Sequence, residues 1–249
     1  MSDDNYSSRG DQDAIRPWQH RSWIFPRDPN FQVKAERVLG LYQGRWAHQA
    51  LGANDYTVSA DEKTSIQARL RLHPTAPPQP HQAMRVEFEH ERGGALAYLA
   101  AWDVRRAKVF GRCETTTGIQ PFGRLAQQVM EQEPYRTASR VFWIVDNSSS
   151  HRGGAAVRRL QGKYANLILV HLPVHASWLN QVEIYFSVIQ RKVLTPNDFS
   201  NLTQVADRLL ALQSFYEQIA KPFEWKFNRA DLHELMHNIS QPVPTTLAA

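Results

Sequence analysis

The stretch from Val141 to Lys192 constrains this chain most. It opens on VFWIVDN, where Val141 to Val145 is too short for a helix and is dominated by β-branched and aromatic residues. That run reads as a buried strand ending on Asp146. SSSHRGGAAVRRLQGKYANLILVHLPV follows, with a helix expected from Ala155 to Tyr164 and a second buried strand at LILVHL. HASWLNQVEIYFSVIQRKVL then reads as a helix carrying Glu183, with Leu179, Val182, Phe186 and Ile189 as its apolar neighbours. Thr195-Pro196 stops it. An acid just past a buried strand sits at the rim of a sheet, where open α/β folds place their sites. Strand-Asp, crossover, strand, helix-Glu brings a second acid to the first, and two such carboxylates can hold a divalent metal.

The same stretch is basic. Between Asn147 and Asn197 six cations (Arg152, Arg158, Arg159, Lys163, Arg191 and Lys192) accompany one anion, Glu183. That local excess equals the formal charge of the whole chain, +5, so the remainder nearly cancels. A basic surface beside an acidic pair suits a polyanionic substrate; the plainer alternative is a solvated helix face. Cys113 is the only cysteine, which excludes an intrachain disulfide and fits a reducing interior. No run approaches the roughly 18 apolar residues of a membrane span. MSDDNYSSRGDQDAIRP lacks the apolar core of a signal peptide.

Four segments are expected: a disordered tail over 1–17, a linker arm over 18–54, a main domain over 55–239 and a loose tail over 240–249. Within the arm, Phe31 to Tyr42 suits a short helix. DYTVSA, from Asp55, begins the sheet and runs into Asp61, Glu62 and Lys63. HPTAPPQPHQ has four prolines and reads as a surface loop. RVEFEHE, Arg85 to Glu91, alternates with period two, and Gly93-Gly94 is expected to turn the chain into ALAYLAAWDV. KVFGRCET follows a polar break at Arg105-Arg106, completing an antiparallel meander. Helices are expected over Gly118 to Gln132 and Leu202 to Ile219, and KPFEWKF returns as an aromatic clamp. A meander followed by alternating helix and strand gives an α/β chain with a mixed sheet flanked by helices.

SADEKT, VDNSSSH and HLPVHASWLNQVE together resemble the DDE transposases of bacterial insertion sequences, in particular the mariner-like insertion sequence 630 family. HPTAPPQP, FEHERGGALAYLAAWDVRRAKVFGRC, KPFEWKF and the arm RDPNFQVKAERVLGLY are also similar to that family, so the resemblance spans nearly the whole chain. It implies an RNase H-like fold with a five-stranded mixed sheet, and metal-dependent DNA cleavage and strand transfer. The cofactor implied is Mg2+, as two ions, with Mn2+ as a substitute. By position Asp61, Asp146 and Glu183 match the three family acids and would be both catalytic residues and metal ligands. Two metal ions about 3.5–4 Å apart can serve the attacking and leaving oxygens, so no protein nucleophile is required. Glu62, adjacent to Asp61, is the alternative ligand.

His151 and His175 match family positions near the DNA or the metals. With His171 they do not form a compact zinc motif, and no cysteine joins them; His171 reads as a packed strand residue. Arg152, Arg158, Arg159, Lys163, Arg191 and Lys192 are candidate phosphate contacts. Asn180 is either a DNA contact or the cap of its helix, and Trp178 a core residue. Expected partners are double-stranded DNA (transposon ends and target), further copies of the chain on that DNA, and a separate helix-turn-helix polypeptide, with no membrane. No helix pair suited to reading a major groove precedes Tyr56, so the chain reads as a catalytic portion. The expected location is the bacterial cytoplasm, at the nucleoid. Two other functions compete: a transposase-derived DNA-binding remnant, and an RNase H-like nuclease acting on other nucleic acids.

Overall fold

The computed structural model describes residues 26–148 and 153–240. The expected tail over 1–17, Trp18 to Phe25, His151, Arg152 and all of the expected C-terminal tail except Ser240, which ends the last helix, lie outside them. The chain runs through α1 (Phe31–Tyr42), a small hairpin of β1 (Arg45–Trp46) and β2 (Gln49–Ala50), then β3 (Asp55–Leu70), β4 (Glu91–Asp103) and β5 (Lys108–Glu114). Next come α2 (Ile119–Met130), β6 (Arg140–Val145), α3 (Gly153–Lys163), β7 (Leu167–His171) and a single 3₁₀ turn (Ser177–Leu179). Helices α4 (Val182–Lys192), α5 (Leu202–Ile219) and α6 (Arg229–Ser240) complete it.

Strands β3 to β7 form one sheet in the order β5-β4-β3-β6-β7. The β5/β4/β3 side is antiparallel and the β3/β6/β7 side parallel. The parallel half needs helices on both faces, and every residue from Val141 to Val145 is fully buried. One face carries Val58, Ala60, Leu99, Val141 and Trp143 under Phe122, Leu125 and Val129 of α2 and Leu160 of α3. On the other face α4 and α5 cover the antiparallel half through Tyr185, Phe186, Ile189, Val205 and Leu209. There α1 and α6 cover the parallel half, setting Ala35, Val38, Leu39 and Leu232 against Phe142, Ile144 and Val170. The closing segment clamps these layers with rings: Phe223 stacks on Trp102 at 4.4 Å, and Trp225 leans on Tyr42 at 5.1 Å.

Two expectations are corrected in the meander. RVEFEHE is not a strand: β4 starts only at Glu91, and Phe88 is 94% exposed. Alternation predicts a strand where a partner runs alongside, and here, ahead of β4, pairing is limited to one bridge, Arg85 to Ala76. Gly93-Gly94 is not a turn but lies within β4, opposite a register shift in β3 between Gln67 and Arg69. A Cβ on Gly93 would meet Ala68 and Leu70 at 3.2 Å, so close strand approach, rather than chain reversal, uses this glycine.

A second irregularity, between Lys63 and Ile66, sets the site. Before it, odd-numbered residues of β3 face α4; after it, even-numbered Ile66 and Ala68 belong to the cluster under α4 and α5. An extra residue in a strand restores the apolar side to the core in this way. It lets one long strand present acids in its first half and core residues in its second.

Candidate active site

Asp61 was expected near a strand; it lies inside one. It is paired across the sheet with Ala100, while Glu62 is paired with Leu99. Directly opposed residues share a face, so Asp61 points to the side of α4 and Glu62 to the side of α2 and α3. That geometry favours Asp61 over Glu62. The parallel register Ser59↔Ile144, run two residues further, puts Asp146 beside Asp61. Glu183 sits in the first turn of α4, held there because Val182, Tyr185, Phe186 and Ile189 are buried against the sheet.

The three carboxylates sense one another. Burial pushes the Asp61 carboxyl up to about 7; its bond from the Glu62 amide opposes this, and the charges of Asp146, Glu183 and Glu62 add to it. Burial also raises the Glu183 carboxyl; Lys63 opposes this and Asp146 reinforces it. Their orientations are partly fixed. The Glu62 amide donates to Asp61 Oδ1 at 2.8 Å, and the Ser148 amide donates to Asp146 Oδ1 at 2.9 Å. Among the described residues no three His, Cys, Asp or Glu side chains already converge as a ligand shell. Burial is the larger cause of both raised carboxyls, and the like charges add to it. Hard oxygen donors short of positive charge fit a divalent cation such as magnesium.

Asn180 is fully buried, and the residue flanking α4 is Gln181, with no side-chain cap. Its side chain is instead spent on β3. Its Oδ1 accepts a short bond from Ser59 Oγ, and its Nδ2 donates to the Ala60 carbonyl at 3.1 Å and to Asp61 Oδ2 at 3.2 Å. Ser59 Oγ in turn accepts from the Val182 amide at 3.0 Å. Tyr42 of α1 adds a third tie, donating to the Leu179 carbonyl at 2.6 Å and accepting from the Gln181 amide at 3.2 Å. The start of α4, and Glu183 with it, is thus bolted to the strand that carries Asp61.

The remaining candidates scatter. His175 is exposed at φ +63 and lines a cavity of about 320 Å³ with Asp146 and Asn147. His171 ends β7, and Trp178 packs edge-on against Phe227 at 5.1 Å. Arg158, Arg159 and Lys163 are exposed on α3, over the face opposite to Asp61. Arg159 and Lys163 line a hollow against α2, and Lys163 approaches Glu131 at 3.8 Å. Arg191 and Lys192 are exposed at the far end of α4, about 12 Å along the axis from Glu183 at 1.5 Å per residue. Sequence reasoning missed Ser59 and Lys63. The available signal for Ser59 was a polar stripe, Thr57, Ser59 and Asp61, at period two on a strand otherwise apolar.

Residues 57–206 match a family profile described as DDE superfamily endonuclease. No curated protein matches the chain. Among solved structures, the catalytic domain of Mos1 mariner transposase is similar with a TM-score of 0.53 at 14% identity, covering 89% of this chain and 92% of that one. The Mos1 mariner paired end complex with Mn gives 0.53 at 14% identity, over 89% of this chain and 62% of that one. The paired end complex with Mg gives 0.51 at 15% identity, over 89% and 64%. The chain therefore spans somewhat under two thirds of the Mos1 chain in those complexes. Its mixed sheet and flanking helices form an RNase H-like fold, as in the Mos1 catalytic domain.

Proposed function

The chain belongs to the DDE superfamily of endonucleases, and from that premise we propose that it is the catalytic portion of a DNA transposase. The finer assignment, to the mariner-like insertion sequence 630 family of bacteria, rests on the motifs SWLNQVE and VDNSSSH. The observation that carries the reading is the meeting of three carboxylates from β3, the end of β6 and the first turn of α4, each near enough to disturb another's ionisation.

Asp61, Asp146 and Glu183 are the residues that would hold divalent metal, magnesium or manganese. Bound there, the metal would activate an oxygen nucleophile and neutralise charge at the phosphodiester. The protein's own share is positioning. Asn180 aims Asp61, Ser59 fixes the distance from β3 to α4, and Lys63 partly offsets the charge of Glu183. Burial raises the Asp61 carboxyl in the metal-free chain, so metal binding there would release a proton and is favoured as pH rises. Double-stranded DNA is the substrate, transposon ends among it, a reading supported by the paired end complexes of the similar Mos1 transposase; further copies of the chain on that DNA belong to the same proposal.

The test is nicking and joining of DNA. Wild-type protein with Mg2+ converts supercoiled plasmid to nicked or joined product, and Asp146→Asn abolishes this while the protein still melts cooperatively. Equal cleavage by the variant refutes the assignment. Cutting without joining points to a nuclease, and binding without cutting to a remnant.

A further inference from the structure

A cavity of about 430 Å³ begins two residues along β3 from Asp61. Lys63, Arg69 and Arg71 line it from the strand, and Gln190, Thr195 and Asn197 face them from the end of α4 and the loop beyond. No acid contributes to its wall. We propose that this cleft is a subsite for the phosphodiester backbone of the DNA strand engaged at the carboxylates. The proposal rests on the strand-cleaving function given above.

Elsewhere the chain spends arginines on acids. Arg112 and Arg124 share Glu114, and Arg140 grips Asp55. Among the described residues Lys63, Arg69 and Arg71 form no ion pair with an acid. Lys63 instead stands near enough to Glu183 to oppose the rise that burial imposes on its carboxyl, which ties the cleft's mouth to the proposed centre.

The walls are built rather than loose. Asn197 staples the loop to the strand: its Nδ2 donates to the Gln67 carbonyl at 2.7 Å, and its Oδ1 accepts from the Arg69 amide at 3.2 Å. Arg71 Nη2 donates to the Asn197 carbonyl at 2.9 Å, which fixes the guanidinium, while its Nε is buried with no partner. A planar cation held in place by one of its nitrogens is suited to a phosphate oxygen. The β3 irregularity, with Ser65 at φ +56, forms the end of this cleft nearest Asp61. Bulges beside sites re-aim side chains in this way. Arg69 near the end of β3 and Arg71 just past it are about 6.6 Å apart if the chain stays extended. One DNA strand carries a phosphate every 3.4 Å or so of axis, so both reach phosphates of one strand.

The experiment measures binding of labelled single-stranded and duplex oligonucleotides across a salt series in EDTA, with inorganic pyrophosphate as a small-anion competitor. Each phosphate contact contributes about 0.7 (single strand) to 0.9 (duplex) to the slope of log K against log salt. Arg69→Gln is expected to flatten the slope by about that amount, and Arg69→Gln/Arg71→Gln by about twice it. Arg69→Lys/Arg71→Lys, which keeps the charge, is expected to keep the slope. Thermal melting of each variant verifies the fold, and the single Arg69 variant leaves the Arg71 bond to Asn197 intact. If wild type binds and nicks DNA but all slopes coincide, the cleft is overturned and the strand-transfer reading stands. If wild type shows no salt-dependent DNA binding, both fall. If pyrophosphate binds equally to wild type and the double glutamine variant, the cleft is not its site and the proposal fails for small anions too.

Discussion

Replacing Asn180 with Ala tests the bolt between β3 and α4. The side chain is fully buried and makes three hydrogen bonds: from Ser59 Oγ, to the Ala60 carbonyl, and to Asp61 Oδ2. Two neutral bonds are worth about 1 kcal/mol each, and at about pH 8, above the raised Asp61 carboxyl, the third is to a charged group and worth about 1.5–3 kcal/mol. The loss is therefore about 3.5–5 kcal/mol, a large share of a typical stability of about 5–15 kcal/mol. For a chain of this size that lowers Tm by about 7–20 °C. Ser59→Ala costs less by itself, and because both residues serve one network the pair is not additive. A double-mutant cycle should return a coupling of at least about 1 kcal/mol. Urea unfolding followed by tryptophan fluorescence measures both, since Trp102 and Trp143 are fully buried. An Asn180→Ala variant within about 0.5 kcal/mol of wild type, or strict additivity with Ser59→Ala, would refute the reasoning.

Three further outcomes follow from particular contacts. Asp61 is raised to about 7 in the folded chain against an ordinary 3.8, so its contribution is fully present below pH 4 and lost as pH rises through 7. In chelator, wild-type Tm should therefore fall between pH 5 and pH 8 by more than that of Asp61→Asn; parallel profiles would contradict this. Gly111→Ala should destabilise by about 1–3 kcal/mol, because its Cβ would lie 1.9 Å from the buried Tyr98 hydroxyl; a neutral result in thermal melting would show that this layer yields. Arg140 holds Asp55 through bonds of 3.0 and 2.6 Å and keeps its carboxyl below the usual range, so that stability is present above the ordinary carboxylate pKa and lost on acidification. Asp55→Asn should melt lower at pH 7, with the gap closing toward pH 3; a gap that widens on acidification would reverse the sign.

The fold was legible where burial is continuous. Val141 to Val145 is apolar because both faces are covered, and the helices at Phe31–Tyr42 and Leu202–Ile219 follow their apolar spacing to the residue. Legibility failed where pattern and packing part company. RVEFEHE alternates but ahead of β4 pairs only through one bridge and leaves Phe88 exposed, and Gly93-Gly94 resembles a turn although its lack of side chains serves strand contact. Helix α6 was overlooked because its mixed polar surface buries little besides Leu232. At the site, the acids stood out by chemistry, but their support did not. Ser59 and Asn180 are 121 positions apart, and their bond exists only once α4 is seated on β3. The basic excess in the sequence was read as one surface, yet α3 and α4 lie on opposite faces of the sheet, so its cations cannot all face the acids.

The central claim is that Asp61, Asp146 and Glu183 form one divalent-metal centre, and Mn2+ titration followed by electron paramagnetic resonance addresses it without any DNA. Wild type should remove free Mn2+ signal with saturable, pH-dependent binding, Mg2+ should compete, and Asp61→Asn, Asp146→Asn and Glu183→Gln should each weaken binding at least tenfold while folding is retained. Wild-type affinity in any one of the three variants would remove that acid from the centre. Wild-type affinity in all three would contradict the account.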